Sequence, residues 1–251
     1  MNHVSRPDSY DRFADVYERH WTVTSRMFIP TVALLLLPRL RADALVLDLC
    51  CGTGILAADL SDTGLRVVGL DGSLPMLSYA RKRAPGVALV QADARSFGLR
   101  QVFDAAVCMF DSLNHMLTAR ELGAAFECVR ESLRPGGWFL FDLNTEAAYL
   151  KHWNGTHRLV DADEEVTTSA QYDRFKRIGA FSIAVERKGK GCRPERGKLT
   201  LLQRCHSDEE VRTQLRRSGL LIADTHALEG KALASVAGAG TERVFYLCRK
   251  P

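Results

Sequence analysis

The stretch Val46-Leu-Asp48-Leu-Cys50-Cys-Gly52-Thr-Gly54 carries the most chemical information in this sequence. An apolar run leads into a turn holding two glycines, and a helical pattern, Ile55 to Leu60, follows. Glycines at such a turn let a ligand approach the backbone with no Cβ in the way. Free N–H groups at the start of the next helix favour a negatively charged group. Gly52, Gly54 and Ala57 also satisfy the dinucleotide fingerprint G-x-G-x-x-G/A. The next apolar run, Val67-Val-Gly-Leu, ends in Asp71 and Gly72, near the ~20-residue spacing at which an acidic side chain accepts hydrogen bonds from ribose hydroxyls. Ser73 caps the helix after it, and Met76 and Leu77 on that helix can pack near an adenine face. A third run ends in Gln91-Ala-Asp93-Ala94. There Asp93 can accept from an exocyclic amino group and the Ala94 N–H can read a ring nitrogen, although Asp93 alone equally suits a turn cap. A fourth run ends in Asp111-Ser-Leu-Asn114-His115. His115, with an ordinary pKa of ~6.5, can take a proton from an ammonium or a hydroxyl, or can simply cap the helix that follows. Asn114 can orient an acceptor by hydrogen bonds.

These residues are useful only if strand ends gather them. From about residue 44 to 143 short apolar runs alternate with helical patterns, as in βαβ units around a parallel sheet. The predicted strands are 44–49, 65–70, 87–91, 103–109 and 138–143. Before the last of them, Thr118 and Glu121 form a T-x-x-E capping box. Leu122, Ala125, Phe126, Val129 and Leu133 follow on one helical face, and Pro135-Gly136-Gly137 is expected to stop that helix. Upstream, 10–37 reads as two helices broken near Thr22 and Pro30. Downstream the pattern changes: 158–172, 178–187 and 198–205 read as β-rich, with a polar, glycine-rich turn over 188–197 suited to a loose hairpin. Consecutive strands without helices suggest an antiparallel insertion. A second capping box, Ser207 and Glu210, opens a helix ending at Gly219, and two strands, 220–227 and 243–249, close the sequence.

Composition narrows the class. The 251 residues are 46% hydrophobic and 25% charged, close to globular averages, which excludes a disordered or collagen-like chain. The longest apolar run, Val32 to Leu37, is far short of the ~20 residues a bilayer crossing needs, and the first residues lack the apolar centre of a signal peptide. Seven cysteines with no C-x-x-C point to reduced thiols and a cytoplasmic location. A net charge of +4 does not call for a nucleic-acid partner, and the basic stretch 187–204 reads better as a solvated hairpin. His152, His157 and Cys205-His206 lack zinc spacing, so no metal is expected.

Taken together, VLDLCCGTG at 46–54, VVGLDGS at 67–73, QADA at 91–94, FDAAVCMFDSLNH at 103–115 and LRPGGWFLFDLNT at 133–145 resemble the class I S-adenosylmethionine-dependent methyltransferases. YDRFADVY at 10–17 looks like the opening of their small-molecule branch. The resemblance covers 10–145 well and 207–249 loosely. It implies a Rossmann-like α/β fold, a seven-stranded mixed sheet with helices on both faces, here with an antiparallel β insertion. The implied organisation is a helical cap over 1–43, a methyltransferase domain over 44–148 and 206–251, and an insertion over 149–205 acting as substrate lid or dimer surface. S-adenosyl-L-methionine is the implied cofactor and a small molecule the implied methyl acceptor, in a monomer or homodimer. Carried over, Asp48 and the loop with Cys50, Gly52 and Gly54 contact the methionine portion. Asp71, with Gly72 and Ser73 beside it, holds the ribose; Met76, Asp93 and Ala94 hold the adenine. Met109 and Asp111 wall the sulfonium side, and Tyr10 and Tyr17 close over the cofactor. Asp111, Asn114 and His115 are the expected catalytic cluster. Cys50 stands where this family usually has its first glycine. Of the aromatics in the insertion, Tyr149, Trp153, Tyr172 and Phe181 are the ones expected to face an acceptor or to form the insertion's own core. A nicotinamide-dependent oxidoreductase explains Gly52, Gly54 and Asp71 but gives Asp93 and Ala94 no work; a non-catalytic cofactor-binding module is the other alternative.

Overall fold

The computed structural model describes residues 8–11, 13–22, 26–100, 102–160, 163–187, 195–229, 232–234, 238 and 240–251. Two short helices, α1 (Asp8–Asp11) and α2 (Ala14–His20), precede α3 (Ile29–Leu35). The alternating region follows as β1 (Leu45–Leu49), α4 (Ile55–Asp62), β2 (Arg66–Asp71), α5 (Leu74–Arg83), β3 (Ala88–Gln91), β4 (Phe103–Cys108), α6 (Ala119–Ser132) and β5 (Leu133–Asn144). A 3₁₀ turn, Ser112–His115, lies between β4 and α6. Then come α7 (Glu146–His152), β6 (Asn154–Val160), β7 (Glu164–Asp173), β8 (Ile178–Arg187), β9 (Glu195–Arg204), α8 (Asp208–Ser218), β10 (Leu221–Glu229), β11 (Ala232–Ala234) and β12 (Arg243–Arg249).

The main sheet runs β11-β10-β12-β5-β4-β1-β2-β3, and β6-β7-β8-β9 form a separate antiparallel sheet. Strands β3, β2, β1, β4 and β5 are parallel and β10 runs in the same sense, whereas β12, set between β5 and β10, and the edge strand β11 run against them. The strand order reverses between β1 and β4, and the crevice beyond the carboxyl ends of strands at such a reversal is where open α/β sheets bind ligands. One apolar layer packs Leu122, Phe126 and Val129 of α6 with Val211 and Leu215 of α8 against Phe139 and Phe141. The opposite layer sets Val32, Leu35, Ala57 and Leu60 against Val46, Val107 and Leu140. A third cluster joins Phe13 and Val16 to Val166, Ile183 and Leu201, so the N-terminal helices rest on the antiparallel sheet. Each large side chain fully withdrawn from water contributes about 1.5–3 kcal/mol.

Both capping boxes form: Thr118 accepts from Glu121 N–H at 3.1 Å and Ser207 from Glu210 N–H at 3.1 Å. Other expectations need correction. The sheet holds an eighth strand, the short edge β11, where seven were expected. Helix α6 ends at Ser132 and Leu133 is already extended, so Pro135-Gly136-Gly137 lie within β5. The residue before a proline is pushed out of the helical region, which halts the helix ahead of the ring. Pro30 begins α3 rather than breaking a helix, because its missing N–H is harmless in a first turn. The range 158–172 is split between β6 and β7. The hairpin turn expected over 188–197 lies, for 188–194, outside the described residues.

Candidate active site

A cavity of ≈ 780 Å³ opens at the strand reversal, lined by the carboxyl ends of β1, β2, β3 and β4, by α1 and α2, and by β8 and β9 of the second sheet. At the end of β1, Asp48 is buried, and its Oδ2 has no hydrogen-bond partner. Burial, reinforced by the nearby Asp71, pushes its pKa up to about 8. Cys50 then takes a left-handed φ of 59°, which explains why glycine is favoured at this point. Gly52 and Gly54 also have positive φ, but they serve different ends. Gly52 lines the cavity with open space where a Cβ would stand. Gly54 does not line it: a Cβ there would lie 2.7 Å from Ala80 Cβ, so this glycine lets α4 approach α5.

Asp71 ends β2 with both oxygens accepting from the backbone, from Gly52 N–H at 2.9 Å and from Ser73 N–H at 2.8 Å. It therefore shapes the glycine turn as well as facing the cavity, and burial raises its pKa. Ser73 caps α5 and donates to Asp11 of α1 at 2.7 Å. Gly72, Met76 and Ala94 line the cavity as expected. Asp93 does too, but Arg95 holds it, with N–H donors at 2.8 Å on Oδ1 and 2.6 Å on Oδ2, and this pairing lowers its pKa. Any contact from Asp93 to an amino group is thus shared with a guanidinium.

The cluster after β4 divides. Phe110 and Asp111 both have positive φ, at 63° and 50°. Asp111 faces the cavity with Met109; it pairs with Arg243 at 2.8 Å and accepts from Gln203 Nε2 at 2.6 Å. Arg243 also pairs with the buried Asp142, whose Oδ2 accepts from Asp111 N–H at 3.0 Å. The His115 ring is half-buried. Its Nδ1 lies 2.8 Å from the Leu202 carbonyl, which can only accept, so Nδ1 carries the proton and Nε2 a lone pair. The Tyr10 hydroxyl is 2.8 Å from that Nε2. Burial lowers the pKa of His115, opposed by Asp111. Asn114 departs from expectation. It does not line the cavity, and its fully buried amide donates to the Arg204 carbonyl at 2.9 Å and accepts from Asn144 N–H at 3.0 Å. It is a clamp between the 3₁₀ turn, β5 and β9 and cannot orient an acceptor. Tyr10 and Tyr17 line the cavity, as do Trp153 and Phe181, whose rings are 5.9 Å apart. Tyr149 is fully buried and stacked on Tyr172, and neither reaches the cavity.

The sequence reading missed Gln203, the Leu202 carbonyl, Arg243, Glu242 and Trp21, which also line or buttress this cavity. A signal for Arg243 was present in Asp142: a carboxylate inside an apolar strand demands a charged partner.

Residues 46–137 match the family model of a methyltransferase domain. A dTDP-3-amino-3,4,6-trideoxy-alpha-D-glucopyranose N,N-dimethyltransferase of Streptomyces venezuelae is 36% identical over 127 residues, 49% of this chain and 54% of that protein, so the chain spans about half the length of that relative. Among solved structures, an S-adenosylmethionine-dependent methyltransferase from Clostridium acetobutylicum superposes with a TM-score of 0.77 at 24% identity, over 96% of this chain and 98% of that one. The amino pentose methyltransferase CalS10 of Micromonospora echinaspora, with S-adenosylmethionine bound, gives 0.64 at 23% identity, over 97% and 92%. Residues 46–137 thus match a methyltransferase domain, and the chain has the Rossmann-like fold of solved methyltransferases whose cofactor is S-adenosylmethionine. The domain match speaks for a methyltransferase over the nicotinamide reading. The residues present fit the cofactor: the partnerless Asp48 oxygen suits the amino group of a methionine portion, and the open space at Gly52 suits close approach to backbone.

Proposed function

We propose that the chain transfers a methyl group from S-adenosylmethionine to an amine nitrogen of a small molecule by in-line displacement. The observation that carries this reading is the pairing, in one cavity, of a strand-end carboxylate with one partnerless oxygen, Asp48 Oδ2, with a neutral imidazole, His115, whose lone pair faces inward. The cofactor supplies a methyl group already activated on a sulfonium, so rate gain comes mainly from holding the reactants in line. Asp48 would hold the ammonium, Asp71 the ribose, and Met76, Asp93 and Ala94 the adenine. Met109 and Asp111 would border the sulfonium, with Tyr10 and Tyr17 closing the cavity from the N-terminal helices. Bound there, S-adenosylmethionine would supply the methyl carbon to the nitrogen lone pair, and the carbon–sulfur electrons would remain on sulfur. The proton released from nitrogen is taken by His115 Nε2, directly or through the Tyr10 hydroxyl 2.8 Å away.

Nitrogen is favoured over oxygen because the relative from Streptomyces venezuelae is named for amine methylation. Residues 149–205 would cover the acceptor, as an insertion between two parts of a methyltransferase domain (44–148 and 206–251) capped by 1–43. Among the described residues no helix is long and apolar enough to cross a membrane. We place the reaction in the cytoplasm, where the buried thiols of Cys51, Cys108 and Cys205 stay reduced. The experiment has two stages. Calorimetry with S-adenosylhomocysteine should give saturable heat; none at millimolar concentration would end the proposal. Transfer of a labelled methyl group is then offered to a panel of amines and matched alcohols. Label on alcohols alone overturns the choice of nitrogen, and binding without label on any compound favours the non-catalytic module.

A further inference from the structure

Strand β9 brings two groups to His115 from 87 and 88 residues away in sequence. One is the Leu202 carbonyl. The other is the buried side chain of Gln203, whose amide orientation follows by elimination. Asp111, ion-paired with Arg243, offers only acceptors, so the Gln203 atom 2.6 Å from its Oδ2 is the amide nitrogen. The amide oxygen therefore faces Tyr149, whose hydroxyl donates to it at 2.9 Å from a fully buried ring. The same amide nitrogen stands 3.3 Å from His115 Nε2 and has a second N–H to direct there.

We infer that Gln203 is a positioning residue for His115: oriented by Tyr149, its amide ties Asp111 to the imidazole and keeps the Nε2 lone pair unprotonated and facing the cavity. This rests on reading His115 as the proton acceptor of methyl transfer. An N–H aimed at a lone pair disfavours protonation there, because a protonated nitrogen would meet another donor. Gln203 also engages an oxygen of Asp111, the carboxylate that would otherwise draw a proton onto the ring. The groups around His115 are Tyr10 from α1, Asp111 from its own loop and Gln203 from β9. Tyr17, Asp71 and Cys50 surround Tyr10, and Arg243 and Asp142 stand behind Asp111. Of these three side chains Gln203 is the one that is never charged.

The test follows the His115 imidazole nitrogens against pH by long-range ¹⁵N–¹H NMR in the full chain, comparing wild type with Gln203→Met, Gln203→Glu and Tyr149→Phe. Wild type should show the Nδ1–H tautomer and a midpoint below 6.5. Gln203→Met should raise the midpoint by roughly half to one pH unit, and Gln203→Glu by more than about one. Tyr149→Phe, which keeps the ring in the core, should move it the same way by less. S-adenosylhomocysteine affinity of Tyr149→Phe, measured in parallel, should stay within about threefold of wild type, since Tyr149 does not reach the cavity. An unmoved or lowered midpoint in Gln203→Met and Tyr149→Phe overturns the inference and leaves the methyltransferase reading intact. Failure of the wild-type chain to bind S-adenosylhomocysteine overturns that reading, and with it the catalytic meaning of the clamp.

Discussion

Alanine substitution at Gly52 and Gly54 should separate a glycine that serves the ligand from one that serves the fold. Both have left-handed φ, at 53° and 77°. An L-residue there costs about 1–2 kcal/mol, partly offset by the ~0.4–1 kcal/mol that alanine removes from the entropy of the unfolded chain. At Gly52 nothing lies within 4 Å of the new Cβ, so the net loss is about 1 kcal/mol or less. At Gly54 the new methyl would sit 2.7 Å from Ala80 Cβ and 2.9 Å from Ala80 Cα. Backbone and a short side chain cannot swing aside, and overpacking adds about 1–3 kcal/mol, for roughly 2–4 kcal/mol in all. For a chain of this size each kcal/mol lowers the melting temperature by about 2–4 °C. Thermal melts followed by circular dichroism should therefore fall by about 4–16 °C for Gly54→Ala and by no more than about 4 °C for Gly52→Ala. S-adenosylhomocysteine affinity should fall about tenfold or more for Gly52→Ala, where the methyl enters the cavity. A Gly54→Ala protein melting within about 1 °C of wild type, or one less perturbed than Gly52→Ala, would refute the assignment of Gly54 to the α4–α5 contact.

Three further outcomes are expected. Asp48, with its folded pKa raised to about 8, holds a proton that the unfolded chain releases near 4, so its contribution erodes stability as pH rises between these values; Asp48→Asn should melt higher than wild type at pH 8 while binding S-adenosylhomocysteine at least about tenfold more weakly. Pairing Asp48 with the cofactor's ammonium releases its proton, so calorimetry at pH 7 in buffers of different ionisation enthalpy should register release of up to about one proton per binding event, a signal absent from Asp48→Asn. His115→Ala should cut turnover by about 10²–10⁴-fold and leave cofactor affinity intact, and in wild type kcat/KM should fall with pH only as it drops through a midpoint below 6.5, because burial holds the ring neutral above it; wild-type turnover in the variant would remove His115 from the chemistry.

What could be read in advance follows the range of the forces involved. The strand ends at Asp48, Asp71 and Asp93 are local: an apolar run, a turn and a capped helix announce each, and the structure sets all three on one cavity. The capping boxes at Thr118 and Ser207 are equally local, closing over three residues. Asn114 was misassigned because its partners, Asn144 and Arg204, are 30 and 90 residues away, and only the seating of the second sheet brings them together. Gln203 was invisible for the same reason. Asp93 is a different case, since its partner Arg95 stands two residues on and the pairing could have been anticipated.

The seam between β9 and the 3₁₀ turn also constrains how relatives can diverge. Because the Leu202 and Arg204 carbonyls anchor His115 and Asn114, this strand cannot be exchanged wholesale without loosening the imidazole. Retailoring such a protein for a new acceptor is therefore expected to proceed through substitutions on β8, where Phe181 meets the cavity, while β9 is retained as a fixed mount. A chimaera that imports a foreign β6–β9 block should fold on its own sheet yet lose the tautomer of His115.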